Sequence, residues 1–300
     1  MQSRKRMMVQ NKHSLFIIFF LLPCWLFAQT DSLPPVNKKR LRALTITAIA
    51  GYGSALAGLN YLWYKDSDRQ SFRFFDDNAE WKQVDKIGHF YSAFYLSYGA
   101  SRGLQWSNVP ARKADLIGAI AGFAVLVPVE IFDGFSDAYG ASTGDLIADA
   151  AGAAFYLGQS RLWNEVRIYP KFSFQRSAYA TIRPSVLGDG LTSEILKDYN
   201  GQTYWLSVDM DKFIRFPKWL NLAAGYGAEG MIYARDHQNI EAGYAAPYRQ
   251  YYLSLDFDLT AIRTRSKVVK TLIFVANMIK LPAPALEFSP KGTRFHAFHF

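Results

Sequence analysis

A single cysteine, Cys24, occurs in the 300 residues, and it falls inside an N-terminal leader. Arg4, Lys5, Arg6 and Lys12 form a basic start, residues 14–27 an apolar stretch, and Ala28-Gln29 its end. That is the layout of a secretory signal peptide over residues 1–29. A chain cut there has no disulfide, no thiolate nucleophile and no cysteine zinc site. Leu21-Leu22-Pro23-Cys24 lacks the small residues that precede a lipid-modified cysteine. Phosphate-cradling loops are missing too: there is no G-x-x-x-x-G-K and no strand–G-x-G-x-x-G–helix. Large blocks of like charge are absent as well. The formal charge of +9 falls to about +5 once the four leader cations are removed. This mild excess, spread along the chain, gives no argument for nucleic acid as a partner.

What is present divides into two unlike halves, an α+β arrangement. After a linker (residues 30–40), residues 41–162 read as an antiparallel helical bundle with helices at 41–64, 84–106, 114–132 and 143–162. Residues 43–64 carry no charge and are long enough to span a bilayer. The basic run just before them would lie on the periplasmic side after leader cleavage, which disfavours a spanning helix there. Packing of the helices together, or against the second half, is the expectation. Residues 163–300 alternate apolar or aromatic with polar positions, the period of a strand with two unlike faces. Seven or eight strand candidates lie there. Asn200-Gly201 is a turn signal ahead of one of them, and Pro184, Pro217, Pro282 and Pro284 limit strand lengths. The chain ends in "GTRFHAFHF", which looks like the closing strand of an outer-membrane barrel. A β-rich antiparallel sheet or a small, incomplete barrel is expected, with membrane lipid as its partner. The aromatic share of 16% fits either a core or a membrane interface.

The charged residues of the first half are few and regularly placed. Asp85 and His89 are four apart and share a helix face. Glu130 and Asp133 are three apart near the end of the third helix. Asp145 and Asp149 are four apart at the start of the fourth. Isolated carboxylates in an apolar bundle are costly unless paired or metal-bound, so these six groups are expected to meet in one polar pocket. Two readings stand. In one, the cluster is a structural polar network. In the other, His89, Asp85 and Glu130 move protons, and Asp133, Asp145 and Asp149 hold a divalent cation such as Mg²⁺, Mn²⁺ or Zn²⁺. Ser142-x-x-Asp145 fits a helix cap. "GASTG" (140–144) also matches the G-x-S-x-G elbow of serine hydrolases, but a helix and a polar turn precede it instead of the strand that elbow requires.

The order of these motifs resembles the YfiM-like domain of unknown function of predicted bacterial envelope lipoproteins. D-K-x-x-H-F corresponds to residues 85–90; a central acid pair follows at Glu130 and Asp133, a glycine/serine turn at 140–144, and an Asp-rich last helix with Asp145, Asp149 and Gly152. The likeness runs over about residues 81–159. VanZ-type membrane proteins are more distantly similar, through the D-K-x-x-H start and the Glu/Asp/Gly finish. The resemblance implies an envelope helical domain and implies no reaction; the leader and the barrel-like end of the chain give the expected location, exported to the envelope, at the outer membrane or on the periplasmic side. Function is therefore expected to be structural or accessory, the alternative being an enzyme acting on a lipid or envelope precursor.

Overall fold

The computed structural model describes residues 34–61, 68–137 and 139–300. The expected signal peptide, Cys24, residues 30–33 of the linker and the far end of the first expected helix lie outside the described residues. Four long helices come first: α1 (Lys38–Leu59), α2 (Val84–Trp106), α3 (Ala111–Gly134) and α4 (Thr143–Trp163). Two short strands, β1 (Phe74–Phe75) and β2 (Ala141–Ser142), pair in parallel between them. α1 starts three residues earlier than the sequence implied, because Asn37 caps it by accepting from the amide of Arg40.

The bundle core is α2 against α3 and α4. Its apolar centre is Phe94, Tyr95, Tyr98, Ala119, Ala153 and Tyr156. Small residues let the backbones approach. A Cβ on Gly152 of α4 would collide with the Phe90 carbonyl of α2, and one on Gly122 of α3 with the Ser97 side chain. At the far end of the bundle Asp115 accepts from Ser101, Tyr156, Ser160 and Gln105. That polar knot joins all three helices. α1 is only lightly attached and buries no residue; Tyr52 donates to the Val125 carbonyl and Arg40 lies over Trp106. α3 is the one described helix long and apolar enough to cross a membrane, and 28% of its most apolar window is buried. Its inward face, with Gly118, Gly122 and Glu130, serves as core.

The second half is a six-stranded antiparallel sheet in sequence order: β3 (Ile168–Phe174), β4 (Gln202–Val208), β5 (Leu220–Glu229), β6 (Tyr248–Phe257), β7 (Ala283–Ser289) and β8 (Gly292–His299). Six strands form where seven or eight were expected. Residues 179–197 fold instead as three short helices, α5 (Tyr179–Ile182), α6 (Pro184–Leu187) and α7 (Leu191–Lys197), with Pro184 starting the second. Two further helices, α8 (Asp236–Glu241) and α9 (Lys267–Ala276), interrupt the later strands.

The sheet is curled but not a closed barrel. In a flat sheet β3 and β6 would stand three strand spacings apart, about 14 Å. Yet Lys171 of β3 reaches Asp256 of β6 at 2.6 Å, and both are buried. The backbone of Phe172 also exchanges hydrogen bonds with Met278 and Lys280, just ahead of β7. The two faces differ, one burying polar side chains and the other exposing apolar ones. Inward rows bury Lys171, Ser207, Asn221, Asp256 and Glu287. Gly225 leaves room there for the Trp205 indole. Across the outer face a register row runs Leu206, Ala224, Leu253, Leu286, Phe295, and its leucines and phenylalanine are exposed.

Candidate functional site

The site begins with an unusual entry into α2. Trp81, Lys82 and Gln83 all take left-handed backbone angles, with φ of 45°, 52° and 63°. Such angles cost non-glycine residues about 1–3 kcal/mol each and persist only where surroundings impose them. The second half imposes them here. Tyr226 donates to the Lys82 carbonyl, the Trp81 amide donates to the Ala234 carbonyl, and Arg249 donates to Gln83. This clamp fixes the first turns of α2, and so places Asp85, Lys86 and His89 at the bundle's edge.

The start of α4 is set just as firmly. Ser142 caps it, accepting from the Asp145 amide at 3.0 Å. In a full capping box the Asp145 carboxylate would turn back to the Ser142 amide. Glu130 of α3 takes that amide instead, at 2.8 Å, which leaves the Asp145 carboxylate to face α2. Ser142 also donates to Asp77 at 2.6 Å. It is the last residue of the two-residue strand β2, so a short strand does lead into α4, contrary to the sequence reading. The hydroxyl is nevertheless buried and committed to a carboxylate, with no histidine bonded to it, so the elbow is a helix cap.

Two clusters result. In the first, the Lys86 ammonium sits among Asp77, Asp85 and Asp145 at 2.8, 3.3 and 3.1 Å. A cation already fills this carboxylate triad. Burial would weaken the lysine's hold on its proton, but the fields of Asp85, Asp145 and Asp77 more than offset that and raise its pKa. Asp85 itself is pushed up to about 6 by burial, against the lowering effect of Lys86.

In the second, His89 lies between two helices. Its Nδ1 is 3.0 Å from Asp149 of α4, which is wholly buried, and its Nε2 is 3.8 Å from Oε1 of Glu130. His89, Glu130 and Asp145 each bring one ligand-type atom within 4.8 Å of the others. Glu130 Oε1 and Asp149 Oδ2 are buried without a hydrogen-bond partner. Burial raises Glu130 to about 8, only partly countered by His89 and the Ser142 amide. Burial lowers His89, but the Asp149 hydrogen bond and the charges of Asp145, Asp149 and Glu130 prevail and push it up to about 9. The surrounding carboxylates thus favour protonated His89, and burial favours protonated Glu130.

A cavity of about 210 Å³ opens beside these groups, lined among others by Asp85, His89, Asp133, Asp145, Trp81 and Tyr199. All six residues singled out in the sequence thus come to one end of the bundle. Their roles divide by position: Asp85 belongs with Lys86, Asp149 stands behind His89, Asp133 lines the cavity wall, and only His89, Glu130 and Asp145 converge on one point. Sequence reasoning missed Asp77, which reaches Lys86 and Ser142 from the loop before α2. It also missed that Lys86 would be the cluster's counter-ion. The adjacent lysine in D-K-x-x-H was the available signal for the second; nothing in the spacing of Asp77 pointed to the first.

Residues 73–159 match the family model DUF2279, described as a predicted periplasmic lipoprotein. No curated protein and no solved structure matches the chain. The match covers under a third of the chain but includes Asp77, Asp85, Lys86, His89, Glu130, Asp133, Asp145 and Asp149. It agrees with export to the envelope, on the periplasmic side, and it does not carry the YfiM-like or VanZ-type name. The chain thus contains an envelope domain similar to DUF2279, with no assigned reaction.

Proposed function

We propose that this envelope protein binds a divalent cation at His89, Glu130 and Asp145, and that the outer face of its sheet lies against membrane lipid. The observation that carries the cation reading is the convergence of one nitrogen and two carboxylate donors, those of His89 and Asp145 lining the cavity and that of Glu130 behind them, with a buried Glu130 oxygen lacking a hydrogen-bond partner. A separation of 3.8 Å between His89 Nε2 and Glu130 Oε1 is close to that of two ligands on one ion at bonds of about 2.1 Å. A borderline donor set of this kind suits Mn²⁺ or Zn²⁺. Asp149 serves as the outer carboxylate that orients a ligating histidine. The lipid reading is supported by the exposed leucine and phenylalanine row over a buried polar face.

Equilibrium dialysis against Mn²⁺ followed by metal analysis tests the cation site. One ion per chain is expected, lost in His89→Ala and weakened in Glu130→Gln. If the protein takes up no ion, or if both variants bind as the parent does, the cluster is a structural polar network instead. A catalytic role is the second reading, favoured by one feature: three protein donors leave a side open to the cavity, as metal-assisted hydrolysis requires. Water-proton relaxation of bound Mn²⁺ checks this. An ion without an exchangeable water rules it out.

A further inference from the structure

The end of the molecule opposite the cation site gathers positive charge that is scattered in the sequence. Lys38, Lys39 and Arg42 open α1, Arg112 and Lys113 open α3, and Arg161 ends α4; all are exposed. Three hydrogen bonds show that these ends meet. The Asn37 amide donates to the Ser107 carbonyl, Arg40 to the Trp106 carbonyl, and Arg161 to the Arg112 carbonyl. The β half adds to the same end. α4 runs straight into the start of β3, and the β4–β5 and β6–β7 connections there carry Arg215, Lys218, Arg263 and Arg265, again exposed.

Of the carboxylates at this end two are held by neighbours, while Asp209, beside Asp211, keeps a buried oxygen without a hydrogen-bond partner. Asp115 is enclosed by hydroxyl donors, and Glu165 is paired with Arg167 and Lys212. Among the described residues, none of the six helix-end cations is ion-paired. Four of them, Lys38, Lys39, Arg112 and Lys113, sit in first turns, where the positive end of the helix dipole makes a cation unfavourable unless an anion lies near.

Apolar groups border the charge. Trp106 is half exposed beneath Arg40, and Ile46, Ile49, Ile120 and Leu162 are exposed on the adjoining helix faces. α9 has the composition of an interfacial helix. It packs on α2 through Phe274 against Tyr95 and Tyr98. Val268, Leu272 and Val275 are exposed, beside Lys267 and Lys270. Because Met278 meets Tyr91 while Phe274 meets Tyr98, α9 runs antiparallel to α2, with its lysine-bearing start toward the basic end.

We infer that this basic end, with α9, docks on a bilayer of anionic phospholipid: the cations meet headgroup phosphates and the bordering apolar side chains enter the interface. The inference rests on the membrane association proposed above and adds the lipid's charge and the end of the protein that meets it. Juxtamembrane cations of this kind gain attraction from an anionic leaflet that fades with salt.

Flotation of the full chain with vesicles tests it. Vesicles of phosphatidylcholine alone are compared with phosphatidylcholine and phosphatidylglycerol at three to one. The protein is expected to partition at least tenfold better into the anionic vesicles, and this preference should shrink as salt is raised. Changing Lys38, Lys39, Arg42, Arg112 and Lys113 to Gln together should remove the preference, while Leu272→Glu should weaken binding to both vesicle types. Lys291→Gln with Arg294→Gln, at the opposite end, should leave it intact. Circular dichroism melts confirm that the variants fold. Equal partition into both vesicle types, or an equal loss in the opposite-end control, overturns the basic-end assignment and leaves membrane association standing. Binding to neither vesicle overturns both.

Discussion

Cation binding at His89, Glu130 and Asp145 should be an exchange of one metal for protons. His89 is pushed up to about 9 and Glu130 to about 8, so at pH 7 both hold a proton, the second about nine-tenths of the time by its distance from the pKa. A ligating imidazole is neutral and a ligating carboxylate is charged, so each must give its proton up. About two protons should therefore leave per Mn²⁺ bound at pH 7. Between pH 6 and 8 the affinity should rise up to about a hundredfold per pH unit, tenfold for each group, or roughly 2.7 kcal/mol per unit. Isothermal titration calorimetry in two buffers of different ionisation enthalpy counts the protons directly. Glu130→Gln should reduce the count to about one. Release near zero in the parent protein, or an unchanged count in the variant, would refute the assignment of these ligands.

Without added cation, stability should fall as pH rises from about 5 to 9. Glu130 and Asp85 hold protons more tightly when folded, a contribution lost as pH passes their raised values, and that of His89 is lost through about 9; melting curves across this range, with and without Mn²⁺, check the sign. Lys86→Ala should empty the Asp77, Asp85 and Asp145 triad and let it take a second divalent ion, read as a stoichiometry of two by metal analysis. Gly152→Val should cost on the order of 2–3 kcal/mol by forcing α4 off the Phe90 backbone, measured by denaturant unfolding. Lys171→Met should cost about 3–5 kcal/mol by stranding Asp256 inside the sheet, and adding Asp256→Leu should recover much of it; a double change as harmful as the single one would contradict this. Asp115→Ala should remove a carboxylate that burial raises but the donors Ser101, Ser160 and Tyr156 hold below the usual range. The parent's acid unfolding as pH drops through that lowered value should then weaken in the variant.

The amino-acid order by itself determined the division into an apolar helical half and an alternating β half, because periodicity follows from burial alone. It also determined that six acidic and histidine side chains would share one end of the bundle, since spacings of three and four fix a helix face, and that Ser142 would cap α4. Tertiary structure decided the rest. Whether the sheet closed depended on how far β3 curls toward β6 and on helices forming within 179–197, neither of which is set by alternation. Which three of the six polar groups converge was decided by Glu130 claiming the Ser142 amide and by Lys86 occupying the neighbouring carboxylates, contacts between elements far apart in the chain. The basic end, too, exists only in space: its cations come from separate short stretches, none of them a cluster, and antiparallel packing brings them together because every second connection between elements returns the chain to the same end.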